Sequence, residues 1–217
     1  MMASFGVFVI IFIFTLSYQP STLVRTDDNL IKSLCSKADF PSICLGCLTS
    51  NPSSKTADAP VLSIIAIRCA ENQANLWRQA SFNIYASAPN GSPLKKILQF
   101  CAGQAVVARD DFTAVLQRML AQDYGGAKYI LINQIQPLVD SCKNDFLNNP
   151  NVPMPLVVAA GIQQVTIHCK NAEAILSNIW YESAKIVYRL YLITNKITIV
   201  IMCFFWKKKL FTYILHP

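Results

Sequence analysis

The eight cysteines are the residues of this 217-residue chain with the widest possible chemistry, since thiols bind metals, attack substrates or form disulfides. They lie at positions 35, 44, 47, 69, 101, 142, 169 and 203. Cys44 and Cys47 form a lone C-x-x-C, whereas a zinc site of this kind needs a second such pair or two suitably spaced histidines. The sequence has neither, so we predict no bound metal and no cofactor.

Catalytic side chains form no convincing set. The chain has two histidines, and His168 lies one place before Cys169 on a helical stripe, which is typical of a partly buried structural residue. Asp110 and Asp111 are neighbours in sequence, so on a helix they point in different directions and cannot act as an acid–base pair. The sequence contains no P-loop and no G-x-G-x-x-G motif. We therefore predict that the protein is not an enzyme and has no catalytic residues.

The N-terminus has the pattern of a secretory signal peptide. An apolar run of ten residues, Val7–Leu16, precedes the first charge at Arg25, and ten residues are too few to span a membrane. We assign residues 1–24 to this peptide; a buried or anchoring N-terminal helix is the alternative. Secretion implies an oxidising compartment, in which some of the cysteines should form disulfides.

The net charge of +7 is concentrated at the C-terminus. Residues 1–180 hold 13 Lys and Arg against 11 Asp and Glu, whereas residues 181–217 hold six against one. The first part therefore lacks the clustered basic face that nucleic-acid binding requires. We divide the chain into a domain at 25–180 and an atypical apolar and basic tail at 181–217.

Helical periodicity dominates the domain. Two short apolar runs between Leu30 and Leu48 are broken at Phe40-Pro41, which predicts a helical hairpin that Cys35 and Cys44 could close. Four longer amphipathic segments follow, at about 57–84, 93–121, 126–147 and 155–180. No segment shows sustained period-two alternation. The pattern predicts an all-α fold: an antiparallel up-down-up-down four-helix bundle preceded by a short N-terminal hairpin and stapled by disulfides.

Each long segment has a predicted core-facing stripe with steps of three and four. In the first it is Leu62, Ile65, Cys69 and Leu76. In the second it is Leu94, Leu98, Cys101, Ala105, Ala108, Phe112, Val115 and Met119. In the third it is Ala127, Leu131, Gln134, Leu138 and Cys142, and in the fourth it is Val158, Ile162, Val165, Cys169, Ala172, Leu176 and Ile179.

These stripes place two pairs of cysteines in the core, and we treat the two differently. Cys101 and Cys142 face the core on consecutive helices, and a disulfide between them would stabilise the fold by about 3–4 kcal/mol through denatured-state entropy. Cys69 and Cys169 also face inward on the first and fourth helices. They could pair, but we favour free thiols there because buried free cysteine packs well as a small hydrophobe.

These features together resemble the plant family of invertase inhibitors and pectin methylesterase inhibitors. The resemblance covers about residues 28–180. It rests on the segment Cys35–Cys44, on Ser50-Asn51-Pro52, on Leu98–Cys101 and on Asp140–Phe146. It implies a hairpin closed by one disulfide, Cys35–Cys44, and a bundle with a second, Cys101–Cys142. It also implies a secreted protein of the apoplast or vacuole that sterically blocks a cell-wall or vacuolar carbohydrate-active enzyme, either an invertase or a pectin methylesterase.

The sequence departs from the family pattern at several positions. Gly103 and Ala105 replace an acidic residue and a tyrosine that usually follow the third cysteine of the family. The turn Asp123–Ala127 lacks a Pro-Lys-Phe segment and resembles that of the pollen-allergen-like branch of invertase inhibitors. Cys47, Cys69 and Cys169 are additional cysteines. If the protein binds its target enzyme as members of the family that it resembles do, we expect the enzyme to contact Asp123, Tyr124, Gly125, Gly126 and Lys128.

Three alternatives stay open at this stage. The protein could be a secreted helical ligand- or lipid-binding, allergen-like protein without inhibitory activity, although it lacks the C-C and C-x-C pairs of plant lipid-transfer proteins. Asn90-Gly91-Ser92 is a candidate N-glycosylation sequon on a predicted surface loop, followed by Pro93. The tail could be a membrane anchor or a non-native extension, since Arg189, Asn195 and Lys196 interrupt its apolar run.

Overall fold

The computed structural model describes the backbone of residues 28–214 and the side chains of residues 29–192 except 183 and 187. The predicted signal peptide, Cys203 and His216 lie outside the side chains described. Within this range the chain is helical and has no strand. The helices are α1 (Asp28–Cys35), α2 (Pro41–Ser50), α3 (Ala59–Ser87), α4 (Pro93–Leu120), α5 (Tyr124–Ile130), α6 (Gln136–Leu147) and α7 (Leu156–Ile214). A 3₁₀ turn at Pro52–Thr56 precedes α3, and a π-helical turn at Leu131–Ile135 joins α5 to α6.

The predicted four-helix bundle is confirmed. Its four members are α3, α4, the continuous pair α5–α6, and α7; the hairpin of α1 and α2 packs against α3 and α7. All residues of the predicted stripe on α4 are buried except Leu94, which is half-buried, and the whole predicted stripe on α7 is buried. Each long helix thus contributes one apolar face to a shared core, as an antiparallel bundle requires.

The predicted stripe on α3 is wrong in its second half. Leu76 is 55% exposed, and the fully buried side chain is its neighbour Trp77. The true core face runs from Leu62 to Trp77 through the small residues Ala66, Ala70 and Ala74. Small side chains let α7 approach closely: a Cβ added at Gly161 would lie 3.0 Å from the Cα of Trp77. Alanine contributes little to an apolar pattern, so the sequence pattern favoured the larger Leu76.

The predicted stripe on the third bundle helix is also wrong beyond Leu131. Gln134 is exposed, and Ile135 and Val139 are buried instead. The π-helical turn explains this shift, because the N–H of Gln136 bonds the carbonyl of Leu131, five residues back, and so inserts one residue into the helical register. Pro137, which has no N–H to donate, immediately follows. At Cys142, which is fully buried, the observed core face again agrees with the predicted stripe.

Three disulfides connect the elements. Cys35–Cys44 closes the hairpin, Cys101–Cys142 joins α4 to α6, and Cys47–Cys69 joins α2 to α3. The expectation of a free thiol at Cys69 is therefore wrong: the α2 helix brings Cys47 to a Cα–Cα distance of 6.2 Å, within the range that a disulfide spans. Cys169 carries a free thiol in the core, where burial, with a smaller contribution from Glu173, raises its pKa to about 12.

An asparagine holds the hairpin against the bundle. The side chain of Asn171, on α7, is only 2% exposed. Its Oδ1 accepts from the backbone N–H of Phe40 at 3.1 Å, and its Nδ2 donates to the carbonyl of Phe40 at 3.2 Å. Phe40 lies in the bend where Pro41 prevents helical continuation, so its N–H needs a partner outside a helix. Its carbonyl also accepts from the N–H of Cys44 at 3.0 Å, the first hydrogen bond of α2.

We expect Asn171→Ala to lower the free energy of unfolding by about 2 kcal/mol, because two partly buried hydrogen bonds are lost and the N–H of Phe40 is left without its partner. Denaturant unfolding and amide exchange at Phe40 measure this. Asn178→Ala is the matched control, since the amide of Asn178 bonds only Ala174 of its own helix. Equal losses in the two variants would contradict the role of Asn171 in holding the hairpin.

The last helix is longer than predicted. We expected it to end near residue 180, but α7 continues to Ile214. The sequence has no glycine or proline between Gly161 and Pro217, so it has none of the residues that commonly end a helix near position 180. Among the residues described, no helix combines the length and apolarity needed to cross a membrane.

Candidate docking surface

The turn between α4 and α5 is the region in which we predicted partner contacts. Gln122 has φ of +58°, a left-handed conformation that reverses the chain after Leu120. Asp123 then caps α5: its Oδ1 accepts from the N–H of Gly126 at 2.8 Å, and its Oδ2 pairs with Arg118 at 3.0 Å. The ion pair is largely exposed and adds little stability. The cap fixes the shape of the turn.

Gly126 is needed for this cap. A Cβ at residue 126 would meet the Oδ2 of Asp123 and lie 2.8 Å from its Cγ, so any side chain would displace the carboxylate. Gly125 is exposed and has more space, because its added Cβ would lie 3.7 Å from the indole nitrogen of Trp180. The two glycines therefore differ: Gly126 is required for the cap, whereas Gly125 has room for a methyl group in ordinary van der Waals contact with Trp180.

Lys128 points toward α7 instead of the turn. Its ammonium donates to the hydroxyl of Ser177 at 2.9 Å and lies 3.6 Å from a carboxylate oxygen of Glu173. About a third of its side chain stays exposed. A partner that contacted Lys128 would compete with these two internal interactions.

An open groove of about 670 Å³ separates the turn from the protruding part of α7. On one side it is lined by Gln122, Asp123, Tyr124 and Gly125. On the other side it is lined by Trp180, Ala184, Tyr188 and Tyr191. Trp180, Tyr188 and Tyr191 are each more than half exposed. Three of the five predicted contact residues thus line one concave, aromatic surface, whereas Gly126 and Lys128 lie beside it.

The α7 side of this groove was absent from the sequence-based prediction. We had assigned residues 181–217 to an atypical tail, so Tyr188 and Tyr191 were not considered as site residues. The signal was present, because Trp180, Ala184, Tyr188 and Tyr191 follow one another at steps of four, four and three, which continues one face of the helix.

Further apolar side chains are exposed on both sides of the turn and along α4. Next to the turn they are Leu120, Tyr129 and Ile132. Phe100, Val106 and Val107 are also exposed, but they lie roughly 20–30 Å from the turn along α4. Gly103, where the family usually has an acidic residue, is also exposed, while Ala105 is buried in the core. Clustered aromatic and aliphatic residues with few charges are typical of the central part of a protein interface.

The candidate titratable groups are dispersed. Burial lowers the pKa of His168, whose side chain lies near the Cys47–Cys69 disulfide. Partial burial, with the charge of Asp110, raises the pKa of Asp111, and Asp110 itself pairs with Arg109 at 2.8 Å. The described residues thus place these carboxylates on α4 and the histidine on α7, with no nucleophile–base pair among them.

The candidate sequon lies at the other end of α4. Asn90 is exposed, and Gly91 has φ of +76°, which forms the turn between α3 and α4. The Oδ1 of Asn90 accepts from the ammonium of Lys95 at 2.8 Å, and the hydroxyl of Ser92 caps α4. Since α4 has 28 residues, this turn lies about 40 Å from the groove.

Comparison with known proteins finds matches to plant inhibitors of invertases and of pectin methylesterases. The family model of plant invertase/pectin methylesterase inhibitors matches residues 29–175. The chain is 27% identical to cell wall / vacuolar inhibitor of fructosidase 2 of Arabidopsis thaliana over 161 residues, covering 72% of this chain and 87% of the relative. It is 31% identical to a pectinesterase inhibitor of Actinidia deliciosa over 150 residues, covering 68% of this chain and 78% of the relative.

Solved structures share the fold. A crystal structure of a mutant form of a pectin methylesterase inhibitor from Arabidopsis matches with a TM-score of 0.57 at 16% identity, over 68% of this chain and 95% of the other. Because the family model covers most of the chain and the bundle is present, this protein belongs to the plant invertase/pectin methylesterase inhibitor family.

Proposed function

We propose that this protein is a secreted inhibitor that blocks the substrate cleft of a plant carbohydrate-active enzyme, either an invertase or a pectin methylesterase. The observation that carries the proposal is the family match over residues 29–175, which spans the hairpin and nearly the whole bundle. In this proposal residues 1–24 are a cleaved signal peptide, residues 25–180 form the inhibitor domain, and the protein acts in the apoplast or the vacuole.

The docking surface in this proposal is the groove at the α4–α5 turn together with the exposed residues of α4 and α5. Its aromatic side chains are of the type that dominates binding energy at protein interfaces. The turn is held by the Asp123 cap and by α7, and the bundle below it is cross-linked by Cys101–Cys142. A surface that is rigid before binding loses little conformational entropy on binding, so more of the contact energy contributes to affinity.

The deciding experiment measures residual activity of a plant invertase and of a pectin methylesterase with increasing amounts of the purified, disulfide-intact protein. Dose-dependent inhibition of one enzyme supports the proposal and identifies the target. Inhibition of neither enzyme contradicts it. In that case, displacement of a fluorescent fatty acid would favour the alternative of a helical ligand-binding protein without inhibitory activity.

Alanine substitutions at the turn test the location of the surface. We expect Asp123→Ala with Tyr124→Ala to weaken inhibition at least tenfold, because the pair removes the cap and one aromatic wall of the groove. The inhibition constant is measured against the enzyme identified above. Lys37→Ala is a suitable control, since Lys37 is an exposed hairpin residue. Unchanged inhibition by variants across Asp123–Lys128 would show that the enzyme binds elsewhere.

We further propose that Asn90 carries an N-linked glycan. Its exposure on a turn about 40 Å from the groove would let a glycan coexist with a bound enzyme. Material secreted from plant cells should shift in mass on treatment with a peptide N-glycosidase, and Asn90→Gln should abolish that shift without changing inhibition. A secreted wild-type protein with the unmodified mass would exclude the glycan.

A further inference from the structure

The Cys47–Cys69 disulfide lies beside a buried histidine. The two sulfurs and one ring nitrogen of His168 all lie within 4.8 Å of one another, and the three residues come from α2, α3 and α7. Cys47 and Cys69 are additional to the cysteines through which the chain resembles its family. We propose that reduction of this disulfide converts the cluster into a binding site for a zinc-class divalent cation.

The geometry is close to what zinc requires. Zinc–sulfur bonds of about 2.3 Å and zinc–nitrogen bonds of about 2.0–2.1 Å place tetrahedral ligand atoms roughly 3.5–3.8 Å apart. Because the ligand atoms lie within 4.8 Å of one another, the histidine nitrogen has to move by no more than about 1 Å relative to the sulfurs, and the sulfurs have to separate once their bond is broken. Both changes need only side-chain rotation, because the packed bundle already holds the three backbones together.

The cluster is mostly buried but can be reached from solvent. Cys47 and His168 are each 8% exposed, and Cys69 is partly exposed, so the cluster has one open side through which a reductant and a metal can enter. A neutral imidazole has one ring nitrogen with a free lone pair, which makes histidine a common zinc ligand. Cys169, the residue after His168, is not one of the three residues whose ligand atoms converge here.

The reaction balances with a dithiol as the reductant. The dithiol transfers two electrons and two protons to the Cys47–Cys69 bond, which yields two thiols, and the reductant itself becomes a disulfide. Binding of Zn²⁺ then releases the two thiol protons to solvent. Two thiolates neutralise the charge of the ion, which favours binding at a mostly buried position, and the fourth coordination position is left for water.

The consequence is a cross-link that changes its chemistry with redox conditions. The oxidised protein joins α2 to α3 through sulfur alone, whereas the reduced, metal-bound protein joins α2, α3 and α7. His168 and Trp180 are twelve residues apart, about 18 Å along α7. The inference is therefore independent of the proposed docking surface, and its test needs no enzyme assay.

The test uses the full secreted chain, oxidised and mildly reduced, with Co²⁺ as the probe. Alkylation and mass mapping first establish that Cys47 and Cys69 are reduced while the fully buried pairs Cys35–Cys44 and Cys101–Cys142 stay linked. We expect the reduced protein to bind one Co²⁺, with a thiolate-to-cobalt charge-transfer band and tetrahedral visible bands that Zn²⁺ abolishes. The oxidised protein should show neither band.

His168→Phe and the double variant Cys47→Ser/Cys69→Ser separate the possible ligand sets. The first should weaken Co²⁺ binding at least tenfold, and the second should abolish the charge-transfer band, while circular dichroism confirms that each is helical. Equal Co²⁺ affinity in His168→Phe and wild type would overturn the proposal. So would a reduced wild-type protein that binds no Co²⁺, or one that loses its helical dichroism and does not regain it with Zn²⁺.

Discussion

Replacement of both Cys101 and Cys142 by alanine is expected to lower the free energy of unfolding by about 4 kcal/mol. The disulfide links residues 41 positions apart, so its loss returns a large loop entropy to the denatured chain. Both cysteines are fully buried between α4 and α6, and the alanine side chains also leave some core volume unfilled. Denaturant unfolding, with the midpoint and slope fitted together, measures the loss.

The hairpin disulfide provides a matched comparison. Cys35 and Cys44 are only nine positions apart, for which the same entropy relation gives about 2.6 kcal/mol. The double alanine variant of that pair should therefore be less destabilised than the variant at 101 and 142. Equal losses of stability in the two variants would show that loop entropy does not set how much each disulfide stabilises the fold. If neither lost more than about 1 kcal/mol, the bundle would not depend on its disulfides.

The second expected consequence of losing Cys101–Cys142 concerns the groove. The α4 helix leads into the turn that carries Asp123, and α5–α6 leads out of it, so this disulfide constrains both sides of the turn. A looser turn would lose more conformational entropy on binding. We therefore expect the variant at 101 and 142 to inhibit its target more weakly than the hairpin variant, even under conditions in which both are fully folded.

The parts of the fold that the sequence predicted share one property: they depend on apolar residues that recur in unbroken helical register. The stripe of α4 from Leu98 to Met119 is the clearest case, because its steps of three and four continue without a proline or an irregular turn and end in the large residues Phe112, Val115 and Met119. The helix boundaries near Pro41 and Pro93 followed from local rules on proline and from capping residues such as Ser92.

The features that sequence reasoning missed depend on contacts between distant segments or on backbone irregularity. Burial of Trp77 requires the close approach of Gly161, 84 residues away, which no local pattern records. The π-helical turn before Pro137 shifts the register by one residue, which the spacing of apolar residues does not indicate. Pairing of Cys47 with Cys69 likewise depends on how the hairpin packs against α3.

Of the residues that line the groove, the sequence-based prediction included only those of the turn, for the same reason. Asp123, Tyr124 and Gly125 are neighbours in sequence at a turn with recognisable capping chemistry, so local reasoning could find them. Trp180 reaches this turn only because α7 packs antiparallel to α5–α6 and then continues past the bundle. A docking surface built from two distant segments cannot be read from either segment alone.

Trp180 is the residue of this surface at which we expect the largest loss of binding. Its indole is 56% exposed, lies against the turn at Gly125 and lines the groove together with Tyr124 and Tyr188. Tryptophan at the centre of an interface commonly contributes 2 kcal/mol or more, which corresponds to roughly a 30-fold change in affinity. We therefore expect Trp180→Ala to raise the inhibition constant about 30-fold or more against the target enzyme.

Tyr181→Ala is the matched control for this prediction. Tyr181 is the next residue of α7, is 63% exposed and does not line the groove, so it tests loss of an exposed aromatic side chain from the same helical turn. Both variants should unfold at nearly the wild-type denaturant concentration, because each side chain is more than half exposed. Weakening by Trp180→Ala alone would place the enzyme in the groove. If both variants weakened inhibition equally, the enzyme would bind on the outer side of α7. If neither weakened inhibition, the α7 side of the groove would not be part of the interface.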